Sequence, residues 1–283
     1  MICCGDIALP FEDAVQVKKL PESLASSRWI GNLEGSLLNG EHEEVEAALG
    51  KRIVFNTLPG VMSLCRTITF EAFNVANNHI LDACSFNNTK ESLKKIGKPY
   101  FGAGVNLSEA AEPYLYEEGG EHFSVLAFGD KLIKCIYATA QSQGVNPYEK
   151  DYVLDLVRKT LEHYPTHHLI CFFHWNTELE KYPQPLDRQL SHTLIDMGVW
   201  AIVGCHAHRT QPIEIYKGRP IVYGMGNFAF KQNTFMSESL RFPEFSYSEY
   251  AIELSPDGAV MVHTFHYDNN RSEEHTSELQ SPD

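Results

Sequence analysis

The sequence predicts an α/β fold, and three observations carry that expectation. Apolar runs rich in β-branched and aromatic residues recur along the chain, segments of helical periodicity separate them, and the two kinds alternate instead of grouping. The strands expected are 53–55, 73–76, 123–128, 168–173 and 199–203. Between them lie helical patterns at 58–67, 85–96, 147–163 and 186–197. In the last of these Leu190, Leu194 and Met197 share a face, and Gly198 is placed to cap the C-terminus. From Arg219 onward the spacing tightens into strands at 221–223, 249–254 and 259–265. The last two are joined at Ser255-Pro256-Asp257-Gly258, which reads as a hairpin turn. Residues 232–248, polar and aromatic, read as an irregular loop suited to a lid or a partner surface.

A chain of 283 residues can bury a substantial core, and a single domain over 1–268 is expected. No apolar run approaches the length of a membrane span, and Met1-Ile2-Cys3-Cys4-Gly5-Asp6 shows no basic leader ahead of an apolar segment, so a cytoplasmic protein is expected. Seven scattered cysteines, an odd number, imply free thiols packed as small hydrophobes and no disulfide framework. The net charge of −14 disfavours nucleic acid and anionic membrane as partners. A small molecule or an anionic polymer is the expected substrate, the polymer only with a metal to hold it; oligomeric state leaves no signature. Residues 271–281 resemble the in-frame translation of a sequencing adapter, so 269–283 is expected to be a non-native or disordered tail. Residues 271–283 carry one Arg against three Glu and an Asp, so without them the charge moves from −14 to −11 and the acidic reading survives.

Polar residues of catalytic type collect where the apolar runs end, which is where α/β folds bind ligands. Asp6 follows residues 1–4 and a glycine. Glu34 follows Trp29-Ile30-Gly31-Asn32-Leu33. Asn77, Asn78 and His79 follow 73–76, with Asp82 three positions on. His174 follows 169–173, with Glu178 four positions on. Most informative is Gly204-Cys205-His206-Ala207-His208: alternate strand residues share a face, so two imidazoles at a strand end can converge on one ion or on two neighbouring ions. Five strand ends bearing carboxylate, carboxamide or imidazole, with no lysine among them, form a mixed O/N ligand set suited to Zn, Mn or Fe.

Each residue alone also admits a plainer role. Asp6 suits a turn or a helix N-cap, Glu34 a solvated surface, Asn77-Asn78-His79 a left-handed turn, and His174 a hydrogen-bonded core imidazole. In Tyr223-Gly224-Met225-Gly226-Asn227-Phe228 the glycines permit a tight turn, and Asn227 either orients a site loop or ends a strand. Cys205 as a thiolate nucleophile is disfavoured, because neighbouring strand residues point apart and its thiol should face the core.

Taken in order, Gly5-Asp6, Asn32-Leu33-Glu34-Gly35, Ala76-Asn77-Asn78-His79, His174-Trp175-Asn176-Thr177-Glu178, Gly204-Cys205-His206-Ala207-His208 and Tyr223 to Phe228 resemble the successive motifs of the CapA family, associated with poly-γ-glutamate capsule synthesis. The resemblance runs from Gly5 to about Phe230. It implies a calcineurin-like metallophosphoesterase fold, a four-layer α/β/β/α sandwich with one or two divalent ions (Mn, Zn or Fe) at one sheet edge. Carried over by position, it makes Asp6 and His208 ligands of a first metal and Glu34 the bridging carboxylate. Asn78, His174 and His206 become ligands of a second metal, and His79 the acid/base, aimed by Asp82. Arg209, Glu178 and Asn227 are the candidate substrate contacts. The chain departs from the metallophosphoesterase pattern at Ala8, where a histidine is usual, and at Glu34, where Asp is usual, which leaves the first metal short of a ligand.

Two functions follow. A metal centre here would serve hydrolysis of a phosphate ester or a poly-γ-glutamate-related substrate. The alternative is a non-catalytic accessory protein that binds the polymer or a partner during capsule synthesis or export.

Overall fold

The computed structural model describes residues 1–11, 22–49, 53–230, 248–255, 260–268 and 271–279. In chain order the elements are β1 (Ile2–Ala8), α1 (Glu22–Ala25), β2 (Trp29–Leu33), β3 (Ser36–Leu38), α2 (His42–Leu49), β4 (Phe55–Thr57) and α3 (Leu58–Cys65). There follow β5 (Phe70–Asn74), α4 (Phe86–Lys95), β6 (Tyr100–Phe101), β7 (Ala103–Gly104), α5 (Leu107–Ala110), β8 (Tyr114–Glu118), β9 (Glu121–Gly129), β10 (Gly144–Val145) and α6 (Lys150–His163). The remainder are β11 (His168–His174), α7 (Pro185–Met197), β12 (Ala201–Cys205), β13 (Ile213–Tyr216), β14 (Arg219–Val222), β15 (Asn227–Phe230), β16 (Ser248–Leu254), β17 (Val260–Asp268) and β18 (Arg271–Leu279).

Side-chain alternation along the strands sets the layers. In β9, β11, β12 and β14, Val125, Ala127, Ile170, Phe172, Ala201, Val203 and Val222 belong to one buried cluster, which continues through β1, β2 and β5 to Val61 and Leu64 of α3 and Phe86 and Leu93 of α4. Their neighbours Leu126, Phe128, Leu169, Cys171, Phe173, Ile202 and Ile221 point the other way, onto Val153 and Val157 of α6 and Leu190 and Leu194 of α7. The result is the expected four-layer α/β/β/α sandwich, with the main core between the sheets.

One sheet runs β18-β17-β16-β1-β2-β5-β6, with β15 beside the carboxyl half of β1; the other runs β13-β14-β12-β11-β9-β8. Strands β1, β2, β5 and β6 are mutually parallel, as are β9, β11, β12 and β14. Parallel strands bring their carboxyl ends to one edge of each sheet, and there the chain leaves the strands as loops free to carry polar side chains.

Several boundaries differ from expectation for local reasons. The helix expected from 147 begins at Lys150, because Pro147 forms a bridge to Gly129 and the Tyr148 amide donates to the Gly129 carbonyl. The strand expected at 73–76 is Phe70–Asn74: the Asn74 carboxamide accepts from the Ala76 amide and turns the chain out of the sheet. Strands β16 and β17 pair antiparallel as a hairpin would, while most of its turn and the loop expected at 232–248 lie outside the described residues. Within the segment expected to be a non-native or disordered tail, Arg271–Leu279 runs antiparallel to β17 as an edge strand; an open edge offers backbone groups to any chain that follows, so this pairing says nothing of the segment's origin. All seven cysteines are free thiols.

Candidate metal centre

The first carboxylate is set by backbone approach. A Cβ on Gly5 would lie 1.9 Å from the Gly226 carbonyl oxygen, so only glycine lets β1 pass this close, and the Asp6 amide donates to that same carbonyl at 2.9 Å. Register shifts flank Asp6 on both neighbouring strands, a bulge that re-aims its side chain. A chain of buried carboxamides then crosses the sheet. Asn32 Nδ2 donates to Asp6 Oδ1 at 2.7 Å, and Asn74 Nδ2 donates to Asn32 Oδ1 at 3.1 Å.

Glu34 lies in a loop pinned from three sides. Its amide donates to the Ile7 carbonyl, its carbonyl accepts from Asn56 Nδ2 at 2.8 Å, and the following Gly35 amide donates to Asn77 Oδ1 at 3.1 Å. Gly35 has φ +99°, and a Cβ there would meet the Val54 carbonyl at 2.5 Å. Asn77 Oδ1 also accepts from the His79 amide at 3.2 Å, so one carboxamide ties the Glu34 loop to the loop bearing Asn78 and His79.

The four imidazoles come from one strand end and two loops. His174 ends β11. His206 and His208 follow β12, but not as strand residues: both are left-handed, at φ +89° and +52°, a conformation uncommon outside glycine and of the kind held under strain at functional sites. The expectation that strand alternation aligns them is therefore corrected, because the loop does so. Their rings stand 5.9 Å apart and serve different neighbours. The Cys205 thiol is buried in the inter-sheet core, and burial pushes its pKa well up, so it is no nucleophile.

Glu34 is the meeting point. Its Oε1 lies 3.7 Å from His208 Nε2, 3.8 Å from His174 Nε2 and 3.9 Å from His79 Nε2, too far for hydrogen bonds. Among the described residues neither Glu34 oxygen, nor Asp6 Oδ2, nor His206 Nδ1 has a hydrogen-bond partner, although all four atoms are buried. Two overlapping groups of potential ligand atoms result, Asp6–Glu34–His208 and Glu34–His174–His206, the atoms within each lying within 4.8 Å of one another. Asn78 Oδ1 is 2.8 Å from His174 Nε2, a separation that suits a hydrogen bond or two neighbouring ligands of one ion. The outer nitrogens are held: His208 Nδ1 lies 2.8 Å from Asn227 Oδ1 and 3.3 Å from Asp6 Oδ2, and His79 Nδ1 lies 2.6 Å from Asp82 Oδ2. Such contacts fix ring orientation and leave Nε2 aimed inward.

Electrostatics divides the centre. Burial, reinforced by Asp6, lifts the Glu34 pKa well above the carboxylate range. Burial and then the neighbouring imidazoles push His174 well down and His206 to about 3. For His208 burial also works downward, but the Glu34 and Asp6 carboxylates override it and raise the pKa to about 10.

Asp6, Glu34, Asn78, His79, His174, His206 and His208 thus come together as the sequence suggests, and Asp82 backs His79. Asn227 holds His208. Glu178 is exposed on the wall of a cavity of about 990 Å³ that also meets Asn78, His79 and His206. Arg209 does not line that cavity; its guanidinium donates to the Leu179 carbonyl at 3.2 Å. Ala8 is fully buried in β1 opposite Phe230, so no side chain of its own reaches the centre from there. Sequence reasoning passed over Asn32, Asn56 and Asn74. Their signal was a carboxamide set among apolar residues of a strand, where burial demands hydrogen-bond partners.

A two-sheet α/β sandwich with a preorganised carboxylate–imidazole–carboxamide centre at its carboxyl edge is the class that fold and site define. The chain belongs to the bacterial capsule synthesis protein PGA_cap family, whose model matches residues 13–232. It is 30% identical to the PGA biosynthesis protein CapA of Bacillus subtilis (strain 168), over 74% of this chain and 54% of that one. It is 27% identical to the capsule biosynthesis protein CapA of Bacillus anthracis, over 71% and 50% respectively. A probable polyglutamine synthesis accessory protein of Mycobacterium tuberculosis is 32% identical over 54% of this chain and 43% of its own. The chain spans about half the length of these relatives. Among solved structures it is similar to the NAD nucleotidase of Haemophilus influenzae, at 12% identity and a TM-score of 0.46 over 97% of this chain and 48% of that one. It is also similar to zinc-complexed Vps29 of Entamoeba histolytica, at 10% identity and a TM-score of 0.35 over 98% and 99%. Both scores fall below 0.5, and the fold assignment rests on the two stacked sheets. Among the described residues no helix is long and apolar enough to cross a membrane.

Proposed function

We propose that this chain is a metal-dependent hydrolase of the metallophosphoesterase type, acting on a phosphate ester or a poly-γ-glutamate-related substrate. One observation carries the reading: Glu34, fully buried with both oxygens lacking hydrogen-bond partners among the described residues, faces three imidazole Nε2 atoms at 3.7–3.9 Å. A buried carboxylate without partners costs several kcal/mol, and a cation is the natural compensation. The residues fit one or two divalent ions such as Mn, Zn or Fe. Asp6, Glu34 and His208 would hold one, and Glu34, Asn78, His174 and His206 the other. When bound, such ions polarise a phosphoryl or acyl oxygen and lower the pKa of water toward neutrality.

The chain's own residues supply the rest. Asp82 holds His79 through Nδ1, so Nε2 is the atom positioned to deliver a proton to a leaving group. Asn227 and Asn32 orient His208 and Asp6. The cavity beside His79 and His206 gives a substrate access to the centre.

A second reading, an accessory role in capsule polymer synthesis or export without turnover, draws support from Ala8 and from the relatives' names. Turnover of a phosphodiester, a phosphomonoester and γ-linked glutamate peptides, measured before and after chelation, separates the two. Activity lost on chelation and restored by Mn, Zn or Fe is expected. Binding of glutamate oligomers without turnover under any of these metals would assign the accessory role instead.

A further inference from the structure

The cavity beside the centre carries charges of both signs, arranged by depth. Asp130 and Asp187 line it at 8% and 7% exposure, each nine-tenths buried, while Lys131, Lys134 and Lys150 stand exposed along the same lining. None of the three lysines makes an ion pair with a described residue, in a chain that has only 23 Lys and Arg against 37 Asp and Glu. Likewise neither buried carboxylate makes an ion pair with a described residue. Asp130 Oδ1 accepts from the Leu132 amide at 2.9 Å and Asp187 Oδ1 from the Tyr148 hydroxyl at 2.5 Å, and no hydrogen bond from a described residue reaches the second oxygen of either. Burial raises the Asp187 pKa to about 6, with Asp130 adding to the rise, so this wall of the cavity is short of positive charge. Tyr148, whose hydroxyl holds Asp187, supplies aromatic surface next to it, suited to an alkylammonium, while the Tyr137 ring already carries Lys131 Nζ 5.9 Å from its centroid.

A ligand of one sign fits this lining poorly. Four acids, Asp130, Glu149, Glu178 and Asp187, stand against the three lysines, so a bare polyanion would meet net repulsion, and a simple cation would leave the outer lysines unused. A ligand with an ammonium group inside and carboxylates outside satisfies both. We propose that this cavity is a subsite for the amino-terminal unit of an acidic peptide, its ammonium seated on Asp130 and Asp187 and its carboxylates drawn to Lys131, Lys134 and Lys150. The inference deepens the hydrolase reading and rests on it for one consequence only: with His79 and His206 on the same cavity, the bond presented to the centre is the amide of that terminal unit. Hydrolysis there adds water across the amide, the hydroxyl going to the acyl carbon and the proton to the leaving nitrogen.

The test is calorimetric titration of the full chain with a γ-linked glutamate trimer, free or acetylated at its amino end. The free trimer is expected to bind about tenfold more tightly, the scale of one charge-assisted contact. Asp187→Asn should remove that preference while leaving the acetylated trimer's affinity unchanged, and Lys134→Gln should weaken both trimers. Equal affinity of the two trimers for the unaltered protein, binding of neither, or a preference that survives both Asp187→Asn and Asp130→Asn would overturn it. The unaltered protein alone gives the first comparison, so the result does not depend on a variant folding. Preference for the free end in a protein that takes up no metal would keep the subsite and remove the hydrolase; metal-dependent turnover without that preference would do the reverse.

Discussion

The two halves of the centre share Glu34 and differ in almost everything else. On one half Asp6 and Glu34 crowd a single imidazole and raise His208 to about 10; on the other, His174 and His206 are buried among imidazoles and held neutral, His206 at about 3. The first half draws positive charge, and the second presents neutral imidazoles, each with one ring nitrogen unprotonated. One buried carboxylate thus borders two differently tuned groups of ligand-type atoms. Unequal ions are expected: the imidazole half has Asn78 as a further donor, whereas the carboxylate half has Ala8 where the metallophosphoesterase pattern has a further ligand.

The largest effect tests what the halves share. Glu34→Gln should lower affinity for both ions by more than about 100-fold, beyond the effect of losing an outer orienting group. In chelator the same variant should melt at a higher temperature than the unaltered chain, because it removes a buried carboxyl group whose oxygens have no hydrogen-bond partner among the described residues. Loss of only one ion would show that Glu34 does not bridge.

Separating the halves comes next. His206→Ala and His208→Ala should each remove about one metal equivalent, with the heavier loss of turnover on His206→Ala. Equal losses would erase the asymmetry. Asp82→Asn should leave metal content intact and slow hydrolysis by about 100-fold, with a shifted pH profile, since Asp82 Oδ2 holds His79 Nδ1, and besides it only the Val54 amide, without being one of the candidate ligands.

The smallest effect, a few degrees in melting temperature, reads the electrostatic contrast directly. From pH 6.5 down toward about 3 the unfolded chain protonates the residue corresponding to His206 while the folded chain does not, so stability falls with pH. His208 works the other way: its folded-state proton contributes in full below pH 6.5 and is lost as pH rises toward about 10. Metal-free protein should therefore melt highest near pH 6.5, and a monotonic profile would contradict the paired assignments.

Much of this was legible in the sequence, because near-continuous apolar runs in β9, β11 and β12 mark buried parallel strands and polar residues at their ends mark the site edge. The backbone of the site was less so. Nothing in His206-Ala207-His208 announces two left-handed residues; strand alternation pairs these imidazoles by a geometry the loop does not have. The Asn32–Asn74 carboxamide chain was hidden because each residue looks ordinary until both are known to be buried on adjacent strands. Arg209 stands out in the sequence for its charge beside the histidines, yet the lysines that line the cavity come from the loop after β9 and the start of α6, placed there by tertiary packing that no local pattern encodes.

Elemental analysis of the protein purified at neutral pH decides whether Glu34 joins two ion sites. About two equivalents of Mn, Zn or Fe per chain are expected, falling to about one on His206→Ala. Protein that is metal-free as purified and stays so after reconstitution with all three ions would contradict the two-ion centre.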